Sequence, residues 1–313
     1  MISKNTIYSG ILGGVVGDAL GVPYEFKSRT DMTKYPATTM RGYGTYRQPP
    51  GTWSDDSSMT LATLDSLTNG LDYEDLMIKF CEWIIQGKYT PYGNVFDYGN
   101  TTYSALRNYW DIKLNPLKCG LDGDYDNGNG SLMRIMPAIL YVNTKGFSIA
   151  EQVEVVDNFS SLTHAHTISK ASCNIYNFIS QEVINHSGKS FKTLINNGID
   201  KSREYYDNNK YNCFNTLYNT LFSLSDDYIF SDGYVVSSLE LAVYCCYHTT
   251  NYRDAVLKSV NAGGDTDTNA MITGALAGLY YGYNNIPSDW LTQIARIDYI
   301  KELCDKFYNS INR

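Results

Sequence analysis

Apolar residues recur at helical spacing along most of this chain, and sustained two-residue alternation of the strand kind is hard to find. Asp72, with Asp75 three residues on, opens a segment whose apolar positions Leu76, Met77, Phe80, Cys81 and Ile84 share one face, and Gly87 stops it. Ser148 and Glu151 have the spacing of a capping box and precede Val153, Val155 and Val156. A further stripe, Ile168, Ala171, Ile175, Phe178, Ile179 and Val183, ends near Gly188. Helices are also predicted at about 58–68, 101–110, 235–247, 252–260 and 268–281. Residues 196–232 are polar and rich in Asn, which suits a linker. Within them, Tyr211, Phe214, Leu217, Leu221 and Phe222 predict a helix. No compositional break divides the chain, so the expectation is one all-α domain over residues 1–313.

Composition narrows the function classes. Hydrophobic residues at 43% against 19% charged support a large core. A net charge of -8 argues against general binding to nucleic acid or anionic membrane. No apolar stretch reaches the ~18 residues of a membrane span. The N-terminal apolar run is interrupted by Asp18 and three glycines, which makes it a poor signal peptide. Seven cysteines without a C-x-x-C pair fit a reducing cytoplasm, the expected location. With only His164, His166, His186 and His248 as imidazoles, no zinc site is expected.

Two aspartate clusters then stand out. In GTWSDDSSM (51–59), Ser54, Asp55 and Asp56 precede an apolar helix, and alone they read as an N-cap. In NAGGDTDTN (261–269), Asp265 and Asp267 lie two apart in a turn, Thr268 adds a hydroxyl, and Gly263 and Gly264 permit the backbone such a turn needs. A cap needs one acceptor, not two carboxylates. Four converging aspartates require neutralisation, and hard oxygen donors without His or Cys select Mg²⁺ or Mn²⁺. Two divalent cations match the four charges.

Three other segments carry candidate chemistry. The glycines of GGVVGDALGVPYE (13–25) suit close helix packing, and Glu25 sits where that helix should end, able to project into a cleft. Asp122, Asp124 and Asp126 imitate a calcium loop, but Asn127 and Met133 stand where Gly and the bidentate Glu belong. Gly128, Asn129, Gly130 and Ser131, read as entering a helix, instead suit an anion. Arg134 follows one helical turn in, where a surface or structural ion pair is the plain expectation. His164 lies just before the helix predicted from Thr167, where it could meet a diphosphate.

In this order, GDALGVPYE, GTWSDDSSM, GNGSLMR, LTHAH and AGGDTDTNAMITGALAGLYYG resemble the ADP-ribosylglycohydrolase family, from about residue 9 to 283. That family includes dinitrogenase reductase-activating glycohydrolase and the ADP-ribosylarginine and ADP-ribosylserine hydrolases. The resemblance implies a compact, orthogonally packed multi-helix bundle with a binuclear Mg²⁺ or Mn²⁺ centre at the base of a cleft. It implies a metal shell of Ser54, Asp55, Asp56, Asp265, Asp267 and Thr268, with Ser54 standing where the family often has threonine. Asn129, Gly130, Ser131 and His164 would then face the ADP-ribose, and Glu25, Asp55 and Asp56 would be candidates to move a proton, Glu25 foremost. The implied reaction is hydrolysis at the anomeric carbon of an ADP-ribosyl adduct on a protein or small molecule. Nucleic acid would be met only as a modified substrate, and a monomer is expected. Alternatives are hydrolysis of O-acetyl-ADP-ribose or another derivative, a non-catalytic ADP-ribose binder, and a two-metal phosphohydrolase.

Overall fold

The computed structural model describes residues 2–185, 188–206 and 211–312; His186 lies outside them, as do four residues of the polar 196–232 segment. Among the described residues the fold is all-α. It comprises α1 (Lys4–Gly21), α2 (Arg29–Lys34), α3 (Asp55–Leu67), α4 (Tyr73–Gln86), α5 (Asn100–Trp110), α6 (Met136–Thr144), α7 (Ile149–Ser161) and α8 (Thr167–Ile184). The second half holds α9 (Phe191–Tyr205), α10 (Asn215–Asn219), α11 (Val235–His248), α12 (Tyr252–Val260), α13 (Thr266–Tyr281), α14 (Ser288–Leu291) and α15 (Ile297–Ile311). No β-strand occurs there, only two isolated bridges, Leu121 with His164 and Gly128 with Tyr234. Both bridges fasten loops that reach the site described below.

The expected helix punctuation is present. Asp72 accepts hydrogen bonds from the Glu74 and Asp75 amides, and Gly87 closes α4 in the left-handed conformation at φ 69°. Ser148 and Glu151 make both bonds of the capping box on α7. Residues 212–228 depart from expectation. Their apolar side chains do not share one long helix; Phe214, Leu217, Tyr218 and Leu221 are buried from a single turn, α10, and two short 3-10 turns, while a third, Asp226–Tyr228, buries none. The Asn and Ser residues interleaved there offer the backbone local hydrogen bonds that compete with a continuous helix.

Helices α1 and α13 form the centre. Both are apolar or small on every side, as expected of helices with neighbours all round. They approach so closely that a β-carbon on Gly17 would lie 2.0 Å from the Ala270 carbonyl oxygen, and one on Gly274 would lie 2.3 Å from that of Gly13. Around this pair a single core cluster runs from Ile2 to Phe307. α15 has an apolar face, Ile300, Leu303, Cys304 and Phe307, that packs on α1 and α3. No helix among the described residues is long and apolar enough to cross a membrane.

Candidate active site

The glycine contact between α1 and α13 brings Asp18, one turn before the end of α1, to the first turn of α13. Asp18 is fully buried, and its carboxylate accepts hydrogen bonds from the amides of Ser54 and Ser57 and from the Ser57 hydroxyl. It therefore caps α3 from another helix, with the α3 dipole favouring its charge. Ser54 caps the same helix from its own chain position and donates to Asp56 Oδ2 at 2.7 Å. Trp53 anchors this entry through its indole N–H to the Tyr89 carbonyl. As a result Asp55 and Asp56 emerge side by side from a rigid helix start.

The second cluster is mounted on a turn that only glycine makes easily. Gly263 and Gly264 have φ of 75° and 73°, and a β-carbon on Gly264 would lie 2.3 Å from the Ser231 carbonyl oxygen. The Gly264 amide donates to the Lys27 carbonyl, and the Phe26 amide donates to the Gly264 carbonyl. This pairing holds Glu25 beside Asp265. The other wall is the end of the polar 196–232 segment. The Ser231 carbonyl accepts from the Asp265 amide and the Asn269 side chain, and the Gly233 carbonyl accepts from the Asn129 amide. Arg29 ties this wall down by donating to the carbonyls of Asp226, Ile229 and Ala262.

These mounts converge on two groups of carboxylates. Oxygens of Asp18, Asp56 and Asp267 lie within 4.8 Å of one another, and so do oxygens of Glu25, Asp265 and Asp267. Asp267 belongs to both. Each of Glu25, Asp56 and Asp267 has one buried carboxylate oxygen without a hydrogen-bond partner. A buried carboxylate left so is costly, and this donor set of hard oxygens fits divalent cations such as Mg²⁺. The cost also appears in the acidities. Burial, then the neighbouring Asp97, pushes Glu25 up to about 8, with Tyr46 hydrogen bonding opposing. Burial and surrounding carboxylates raise Asp55, Asp56 and Asp267 well above the usual range. Asp18 is raised by burial to about 6, with its bonds from Ser57 and Ser54 opposing the shift.

Above these carboxylates opens a cavity of about 330 Å³. Glu25, Asp55, Asp265, Thr268, Asn129, Gly130 and His164 all line it. Ser54, Asp56 and Asp267 lie beneath its floor, and Thr268 joins the layers by donating to Asp56 Oδ2 at 3.4 Å. Asn129 donates to Asp265 at 2.8 Å and to Ser238 at 2.9 Å. Ser131 differs from the others, because its hydroxyl turns inward to Ser160 and Cys173 and does not line the cavity. Gly128 to Ser131 do not enter an α-helix either; Asn129–Ser131 is a 3-10 turn, and α6 starts only at Met136. Arg134 is neither at the surface nor in an ion pair: it is fully buried, over the Phe80 ring at 4.7 Å. The N-terminal turn of α5, with Gly99, Asn100, Thr101 and Thr102, forms the opposite wall and adds unpaired helix-start amides suited to an anion.

Two residues of this constellation, Asp18 and Asp97, are given no site role by the sequence. Asp18 carries a usable signal, a carboxylate inside an otherwise apolar helix, which must find partners once buried. Asp97, which lines the cavity beside Glu25, carries none: it sits in a loop, and only the fold delivers it.

The acidic, two-layered cleft lies in an all-α bundle whose hydrolytic class and family sequence comparison gives. The ADP-ribosylglycohydrolase profile matches residues 2–313, and the chain belongs to that family. The ADP-ribosylarginine hydrolase Tri1 of Serratia proteamaculans is 31% identical over 312 residues, 95% of this chain and 77% of that one. The glycohydrolase of ADP-ribosyl-dinitrogen reductase from Rhodospirillum rubrum is 29% identical over 290 residues, covering 90% and 88%. A solved structure described as an ADP-ribosylglycohydrolase-related protein complex shares the fold, with a TM-score of 0.82 over 98% of both chains at 24% identity.

Proposed function

We propose that this chain removes ADP-ribose from arginine side chains, hydrolysing the bond between the anomeric carbon and the guanidino nitrogen with the aid of two divalent cations, Mg²⁺ or the closely similar Mn²⁺. The observation that carries the reading is the sharing of Asp267 between two carboxylate groups whose unpaired oxygens sit under an open cavity. Asp18, Asp56 and Asp267, with Ser54 and Thr268 beside them, would hold one cation; Glu25, Asp265 and Asp267, with Asp55 beside them, the other. When bound, the cations supply charge neutralisation, a lowered pKa for water and an anchor for ribose hydroxyls.

The chain's own residues do the rest. The α5 start and Gly130 offer amides to the diphosphate. Glu25 and Asp97 stand together at the reacting end, and between them they can pass a proton to the leaving group or take one from water. In the outward step a proton moves to the leaving guanidine nitrogen as the carbon–nitrogen bond breaks. In the inward step a proton leaves water as its oxygen bonds the anomeric carbon. The acidic pair and the exposed ring of Phe26 at the cavity rim suit a guanidinium, which takes both carboxylate and ring-face contacts. The relatives named for arginine adducts support the same choice.

A panel of ADP-ribosylated arginine, serine, cysteine, asparagine and nucleic acid, with O-acetyl-ADP-ribose, tests it in Mg²⁺ and in Mn²⁺. Arginine adducts should turn over fastest, by about tenfold or more, the worth of one charged hydrogen bond. Faster release from serine or from O-acetyl-ADP-ribose would reassign the substrate, and a cleaved diphosphate would overturn the glycosidic chemistry.

A further inference from the structure

The Arg134 guanidinium is wholly buried with no carboxylate bonded to it, and its Nε and one terminal nitrogen have no partner. Its other terminal nitrogen donates to the Phe159 carbonyl at 3.1 Å and to Thr163 Oγ1 at 2.8 Å. Thr163 Oγ1 in turn lies 2.8 Å from His164 Nδ1. The three side chains form a line from the interior to the cavity wall, where His164 takes its place.

The donor inventory gives this line a direction. Arginine only donates, so Thr163 Oγ1 accepts from it. The hydroxyl has one hydrogen, and among the described residues its partners are Arg134 and His164 alone. If His164 Nδ1 also donated, the hydroxyl would face two donors and its own buried hydrogen would lack an acceptor, a costly loss. Thr163 therefore donates to an unprotonated Nδ1, and the ring hydrogen stands on Nε2. That edge of the ring faces the cavity turn: a β-carbon on Gly130 would lie 2.8 Å from Cε1 and 3.3 Å from Nε2.

We infer that Arg134 and Thr163 are positioning residues that lock His164 as the neutral Nε2–H tautomer, so that it presents a hydrogen-bond donor to an oxygen of the bound substrate. The inference rests on the cavity being the ADP-ribosyl site. The backbone reinforces the lock: the His164 amide and the Ser160 hydroxyl clamp the turn, and Leu121 bridges it from the far side. Burial, then the adjacent Arg134 charge, also pushes His164 down to about 3, which keeps the ring neutral at physiological pH. A neutral donor binds a substrate oxygen without adding another charge that product release must part from.

The test reads the tautomer directly, apart from any activity. With only four histidines in the chain, ¹⁵N-histidine-labelled protein in Mg²⁺ gives a resolvable long-range ¹H–¹⁵N correlation spectrum, with His164 assigned by its loss in H164Q. The wild type should show the Nε2–H form between pH 5.5 and 8. T163V, which keeps the shape and removes the hydroxyl, should admit the Nδ1–H form and raise KM for ADP-ribosylarginine about three- to tenfold, with kcat changed less. T163S should restore both. An Nδ1–H tautomer in the wild type, or a T163V protein with unchanged tautomer or unchanged KM, would overturn the inference. Such a result would leave the proposed reaction standing, whereas wild-type protein that releases no ADP-ribose would remove the reaction and leave the tautomer as observed.

Discussion

Asp267→Asn should abolish turnover, with kcat/KM for release of ADP-ribose falling by about 10³-fold or more, while the protein folds normally. Asp267 is the one side chain common to both carboxylate groups, so its loss weakens both proposed cation sites together. Several kcal/mol of transition-state stabilisation accompany such ions, and each 1.36 kcal/mol is tenfold in rate. The stability change should have the opposite sign. Without divalent cations Asp267 is a buried carboxylate with an unpaired oxygen among other carboxylates, so neutralising it removes repulsion. In EDTA the variant should therefore melt about 1–2 °C higher than wild type, the shift that ~1 kcal/mol gives a chain of 313 residues. Adding Mg²⁺ should reverse the order, since only the wild type gains from binding. A variant with near-normal turnover would end the shared-carboxylate account, and one that melts lower in EDTA would make Asp267 a structural residue.

Gly17→Ala should be among the most damaging single-methyl changes in the protein. Helix propensity alone predicts the reverse, a gain of about 0.8–1 kcal/mol for Gly to Ala inside a helix. The added β-carbon would meet the Ala270 carbonyl at 2.0 Å and its carbon at 2.6 Å, both backbone atoms with no rotamer to yield. α1 and α13 must then separate, at a cost above about 4 kcal/mol, and Asp18 leaves Asp267 with them. Gly10→Ala is the control on the same helix, because its β-carbon meets only side-chain atoms, Leu279 at 3.1 Å and Met136 at 3.3 Å. Thermal melts of the two should differ by about 6 °C or more, with activity retained in Gly10→Ala and lost in Gly17→Ala. Equal melts would mean that the central pair tolerates separation.

How much of this was legible beforehand depends on the kind of signal. Capped, amphipathic helices announce themselves locally: α4 and α7 fall where their caps and stripes put them, and α12 covers the predicted 252–260. The two aspartate clusters were equally visible, because each begins a helix and carries more carboxylates than a cap requires. Asp97 and the Ser231–Gly233 wall were not, since they enter the site from loops with no periodicity, fixed by backbone bonds to residues far off in sequence. Arg134 shows the limit of type-based expectation. An arginine just beyond a glycine-rich turn usually meets solvent or a carboxylate. This one is buried instead, with carbonyl and hydroxyl acceptors and the Phe80 ring face.

In the proposed centre Asp267 joins two cation sites into one. Counting bound Mn²⁺ per chain by equilibrium dialysis tests it most directly, on wild type and on Asp267→Asn side by side. The account predicts two ions on the wild type and loss of both at the same concentration from the variant. One ion or none on the wild type, or two retained without Asp267, would contradict it.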